Sequence, residues 1–191
     1  TDDTDSAASK AVTDARVTTA AGLITTADAD VAAAALEPAK YTAQTLALTT
    51  GIDTLTGGNG DDTFNATNST LTGLDTLDGG AGVDVLNYND VGGTTDPSTI
   101  ATVKNIETLN MRSTKAADVT TTTGWTGLTA INVTQGATSS ITTSKTTAVS
   151  VDGVTGAVTI VGGASQTVSS KSTAVTLSKA EGAVVVSGAG G

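Results

Sequence analysis

Nine residues from Gly57 read Gly-Gly-Asn-Gly-Asp-Asp-Thr-Phe-Asn, and nine from Gly79 read Gly-Gly-Ala-Gly-Val-Asp-Val-Leu-Asn. Each run places glycines ahead of a carboxylate and then a large apolar residue. Glycine opens backbone conformations closed to other residues, so Gly57, Gly58, Gly60 and, in the second run, Gly79, Gly80, Gly82 can turn carbonyl oxygens toward one point. Asp62 and Asp84 add hard carboxylate oxygens, the ligand type that Ca²⁺ prefers. Looser copies precede both runs: Gly51-Ile52-Asp53-Thr54-Leu55 and Gly73-Leu74-Asp75-Thr76-Leu77, each nine residues before its partner. Asp53 and Asp75 join the candidate metal ligands. Asp61 reads as a solvated neighbour. Asn59, Asn87, Asn89 and Asp90 are further oxygen sources close by.

These turns need strands to hold them. The two tandem pairs are offset by 22 residues, two nonapeptides plus four. If two nonapeptides make one full coil, the second pair stacks on the first and the Asn65–Thr70 stretch bulges as a loop. Asp53 then faces Asp75 along one edge, and Asp62 faces Asp84 along the other, with one or two Ca²⁺ positions between the turns. Further along, apolar centres at Ile131/Val133, Ile141, Val149/Val151, Val158/Ile160, Val168, Val175/Leu177 and Val184/Val186 recur roughly every nine residues. Rungs this small cannot bury their own apolar faces and must stack. The reading is a mainly β chain, a parallel β-roll or β-solenoid. An antiparallel meander in a β-sandwich is the alternative for residues 129–191.

Three zones follow: an Ala-rich helical or linker segment at 1–45, a calcium-type roll at 46–90 and a Thr/Val-rich solenoid continuation at 91–191. Short helices in the first zone take caps from Asp5 or Ser6 and from Asp28 or Asp30, and Pro38 stops the second. Residues 91–99 read as a loop. Trp125 reads as a core plug where the solenoid begins. Lys115, Lys145, Lys171 and Lys179 read as strand-edge charges that discourage edge pairing.

Composition narrows the function. The 191-residue chain carries a net charge of −10 and 9 Lys+Arg, which argues against a nucleic-acid partner and suits cations. Aromatic residues make up 2% of it, so Val, Ile, Leu and Ala must build a thin core. With no His or Cys, most zinc sites and His-dependent triads are excluded, and no H-E-x-x-H or G-x-S-x-G motif is present. No catalytic residues are assigned and no enzymatic activity is expected. No apolar run of 18 residues occurs, so no membrane span is expected. The chain, which starts without Met, is read as a portion of something longer.

The two full nonapeptides resemble the calcium-binding repeat of RTX proteins, G-G-x-G-x-D-x-U-x with U a large apolar residue. Residues 46–135 more broadly resemble crystalline surface-layer (S-layer) proteins of Gram-negative bacteria, exported by type I secretion. The likeness lies in the run from Thr45 to Asp90, in Val103–Thr114 and in Gly127–Thr134. That resemblance implies a Ca²⁺-stabilised, extracellular β-solenoid that self-assembles into a lattice on the bacterial cell surface, with cell-surface polysaccharide as a further partner. The alternative is a calcium-dependent adhesin or biofilm-matrix domain.

Overall fold

Alternation of apolar and polar residues makes most repeats strands with one inward face; the expected centre Val184/Val186 is the exception, exposed in the terminal strand, which no further coil covers among the described residues. The structure, a computed structural model, describes residues 41–92, 97, 101–120 and 125–188. Both expected helices of the Ala-rich segment and most of the 91–99 loop lie outside the described residues. The strands begin with β1 (Thr45–Ala47), β2 (Thr54–Gly58), β3 (Thr63–Thr67), β4 (Thr76–Gly80), β5 (Val85–Asp90), β6 (Thr102–Lys104), β7 (Thr108–Ser113) and β8 (Ala116–Thr120). They continue with β9 (Trp125–Thr126), β10 (Ala130–Gln135), β11 (Thr138–Thr142), β12 (Ala148–Asp152), β13 (Val158–Val161), β14 (Ser165–Ser169), β15 (Val175–Ser178) and β16 (Val184–Ser187).

Among the described residues every strand pairing is parallel, so the antiparallel meander is ruled out. An eight-stranded sheet runs β1-β3-β5-β7-β10-β12-β14-β16. Two four-stranded sheets, β2-β4-β6-β9 and β15-β13-β11-β8, take the intervening strands. This is a β-solenoid. Its long sheet is continuous, while the small sheet changes over in the coil that holds both β8 and β9. Register shows successive coils of 18, 22, 23, 22, 18, 17 and 18 residues. The nonapeptide pair is the unit of the short coils, and the long coils carry inserts. The expected loop at 65–70 is shorter, because residues 65–67 belong to β3 with Ala66 buried; the chain turns only at 68–70, and Leu71 then folds back into the core at 1% exposure.

Inward side chains form ladders. One runs Leu46, Phe64, Leu86, Leu109, Ile131, Val149, and the next runs Ala66, Tyr88, Met111, Val133, Val151, Val168. Side chains from all three sheets join one core cluster. The larger residues Tyr88, Met111 and Trp125 fill long coils, and the shorter later coils close around Val and Ile. Gln166 interrupts the first ladder; at the corner its Nε2 donates to the carbonyls of Gly162 (2.5 Å) and Ser178 (2.9 Å), while its Oε1 is buried without a donor. The chain divides into two units, Thr1–Tyr41 and Thr42–Gly191, and every strand named above lies in the second.

Two expectations change. Trp125 is in the core, beside Val103, but it sits at the end of the first small sheet rather than at the start of the solenoid. The four lysines are exposed at corners between strands, not on strand edges. A parallel solenoid presents open sheet edges only at its two ends, so its flanks have no edge to protect.

Candidate metal centre

The parallel register places residue 62 beside residue 84, and residue 53 beside residue 75. The four aspartates therefore form two stacked pairs, one pair on each edge, as their spacing implied. All four are buried. The edges differ in what their oxygens do.

On the first edge each carboxylate reaches one coil back. The Gln44 amide donates to Asp62 Oδ1 (2.6 Å), the Asp62 amide to Asp84 Oδ1 (2.7 Å) and the Asp84 amide to Glu107 Oε2 (2.8 Å). The second oxygens, Asp62 Oδ2 and Asp84 Oδ2, are buried with no protein donor. Asp62 Oδ2 and the Gly79 carbonyl both press on the Cα of Gly57, where a side-chain carbon would overlap them. Asp84 Oδ2 and the Asn105 carbonyl press on Gly79 in the same way. Gly57 and Gly79 are therefore required for space. Gly80 and Gly82 are required for conformation, with φ of 93° and 132°. Gly58 lies beside the Gln44 side chain, whose Nε2 donates to the Gly57 carbonyl at 2.5 Å. Gly60 is buried under Gly82, where its carbonyl would meet an added side chain.

On the opposite edge the oxygens are taken. Asp53 accepts from the Thr49 amide (2.8 Å) and the Thr49 hydroxyl, and Asp75 accepts from the amides of Asp53 (2.8 Å) and Thr72 (2.6 Å). Asp61 is exposed and accepts from the Val83 amide. Asn87 is drawn elsewhere, into an asparagine ladder on the outer face of the long sheet. Asn87 Nδ2 donates to Asn65 Oδ1 (3.1 Å), Asn110 to Asn87 (3.0 Å) and Asn132 to Asn110 (3.0 Å).

Leaving a buried carboxylate oxygen without a donor costs several kcal/mol. Burial accordingly pushes the Asp84 carboxyl above its ordinary range; the Asp62 amide opposes this, and the charges of Glu107, Asp62 and Asp61 add to it. A divalent cation reverses that penalty. Among the described residues no three acidic side chains gather at one point, so carbonyl oxygens must fill out any oxygen shell. Ca²⁺ accepts such mixed shells of six to eight oxygens. The residues present fit the ion: buried acceptor oxygens face carbonyls across a cradle that only glycine leaves open.

Gln44, Asn105 and Glu107 were not singled out from sequence. Position 107 carries Glu where the pattern asks for Asp, and position 105 carries Asn where it asks for Gly. Allowing those substitutions at an offset of 23 finds Asn105-Ile106-Glu107-Thr108-Leu109.

Stacked glycine-aspartate turns on a parallel β-solenoid are the architecture of a calcium-bound roll. Residues 42–68 and 69–90 match the RTX calcium-binding nonapeptide repeat, in four copies. Repeats of this kind bind Ca²⁺, which is the expected cofactor here, and are typical of secreted proteins. No curated protein matches the chain. Among the described residues no helix is long and apolar enough to cross a membrane.

Proposed function

We propose that the chain is a structural, non-catalytic segment of a secreted, calcium-stabilised bacterial surface-layer protein that self-assembles on the cell exterior. Its metal ligands are Asp62 and Asp84, with carbonyls of the Gly57–Gly60 and Gly79–Gly82 turns. The carrying observation is the pair of buried, donor-free Oδ2 atoms one coil apart, each packed with a carbonyl oxygen of the next turn against a glycine that admits no side chain. Without the ion the aspartate edge repels itself. At millimolar Ca²⁺ it locks, because extracellular modules bind at roughly 10⁻⁴–10⁻³ M. A calcium titration of the purified chain, read by far-UV circular dichroism and light scattering, tests this. A reversible gain of β signal with rising scattering, lost in Asp62→Ala/Asp84→Ala, supports the reading. A signal indifferent to Ca²⁺ defeats it.

A calcium-dependent adhesin is the second reading. A groove on the outer face of the long sheet favours it, lined by Asn87, Asn110, Arg112, Asn132, Ser150 and Asp152. Glycan binding that falls in Arg112→Ala, without scattering, would select it over the lattice.

A further inference from the structure

The aspartate edge continues one coil beyond the matched repeats. Val85 pairs with Thr108, which puts Glu107 at the place of Asp84, and Asp78 pairs with Lys104, which puts Asn105 at the place of Gly79. Three features show that the equivalence is physical. Asn105 has φ 50°, in the left-handed region, as does Gly127, one coil later, at 98°. Asn enters that region more readily than most residues with a side chain. Glu107 Oε2 accepts the Asp84 amide at 2.8 Å, as Asp84 Oδ1 accepts the Asp62 amide at 2.7 Å. The nook of Asp84 Oδ2 and the Asn105 carbonyl over Gly79 repeats that of Asp62 Oδ2 and the Gly79 carbonyl over Gly57. Asp84 is 0% exposed and its Oδ2 has no donor.

We propose that Asn105 and Glu107 complete a second Ca²⁺ position, with Asp84 Oδ2 and the Asn105 carbonyl oxygen as ligands and Glu107 supplying the second negative charge. This rests on the calcium-binding reading above and extends it to a coil outside the repeats. The column is bounded. Gln44, a neutral amide, stands one coil before Asp62, and Thr129 stands one coil after Glu107. The chain thus holds two ions on this edge. The second clamps the last repeat onto the coil that leads into the Thr/Val-rich half, since the Glu107 carbonyl accepts the amides of Thr129 and Ala130, each at 2.9 Å.

Equilibrium dialysis and calorimetry with CaCl₂ on the whole chain test it. The unmutated chain should bind two ions. Glu107→Gln keeps an acceptor for the Asp84 amide but removes the charge, and should lose one ion or bind it at least tenfold more weakly. Glu181→Gln, exposed in the last coil, should still bind two. Two ions of unchanged affinity in Glu107→Gln overturn the inference while leaving calcium binding intact, as does a single ion in the unmutated chain. No ion at all overturns both. If Glu107→Gln does not fold, Asp53→Asn/Asp75→Asn decides: two ions retained supports the assignment, and loss of one moves it to the other edge.

Discussion

Gly79 is the residue on which the metal edge turns. Its Cα faces both the Asp84 carboxylate and the Asn105 carbonyl, so Gly79→Ala forces two coils apart. Overpacking of this kind typically costs about 1–3 kcal/mol. We expect a lower melting temperature and lost calcium response, measured by thermal unfolding with and without Ca²⁺. Gly92→Ala, with nothing near an added side chain, should change neither. Asp84 makes a second prediction. Its raised folded pKa means that the folded state keeps a proton over a pH window in which the unfolded chain has lost it. Stability of the metal-free protein from this group therefore falls as pH rises from the ordinary carboxylate range through the raised value. In chelator, Asp84→Asn should melt higher than the unmutated chain at neutral pH, with the difference closing on acidification. In Ca²⁺ the order should reverse. Melting curves across pH, in chelator and in Ca²⁺, check both.

Among the elements, the long sheet is reinforced on its outer face by asparagine. Asn110 makes two ladder bonds, to Asn87 and Asn132, whereas Asn65 makes one, to Asn87. At roughly 0.5–1.5 kcal/mol per net hydrogen bond, Asn110→Ala should destabilise by about 1–3 kcal/mol and Asn65→Ala by about half that, in urea unfolding. This ladder shows where sequence reading stops. The glycine-aspartate runs and the nine-residue apolar rhythm announce themselves within one window, and they led to parallel coils and to the stacked pairs Asp53/Asp75 and Asp62/Asp84. The asparagines are 22 or 23 residues apart, in coils of unequal length, and they acquire meaning only once register is known. The same inequality hid Glu107. Lys115 and Lys145 misled because strand-edge logic assumes lateral edges, which a stack of coils does not have.

For the whole molecule, stability is a sum over coils and their neighbours. Each Ca²⁺ position at tenfold its dissociation constant adds about 1.4 kcal/mol to the folded state. For a domain of this size that is a rise of about 3–6 °C per ion. The gain is local, so hydrogen exchange in chelator should be faster across residues 45–90 than across 130–169. Added Ca²⁺ should slow the first stretch more than the second. Uniform slowing would mean the solenoid unfolds as one unit.

Coil length has a kinetic consequence. Each strand of the long sheet meets its neighbour after 17 to 23 residues of chain, wherever it lies along the axis. Loop-closure entropy grows only as the logarithm of that span, so the cost of laying down a new coil stays nearly constant from first to last. Lengthening the solenoid by whole coils should leave the rate per coil unchanged. A single residue inserted within β10 should stall growth there, because it turns Ile131 and Val133 outward and denies the next coil its template.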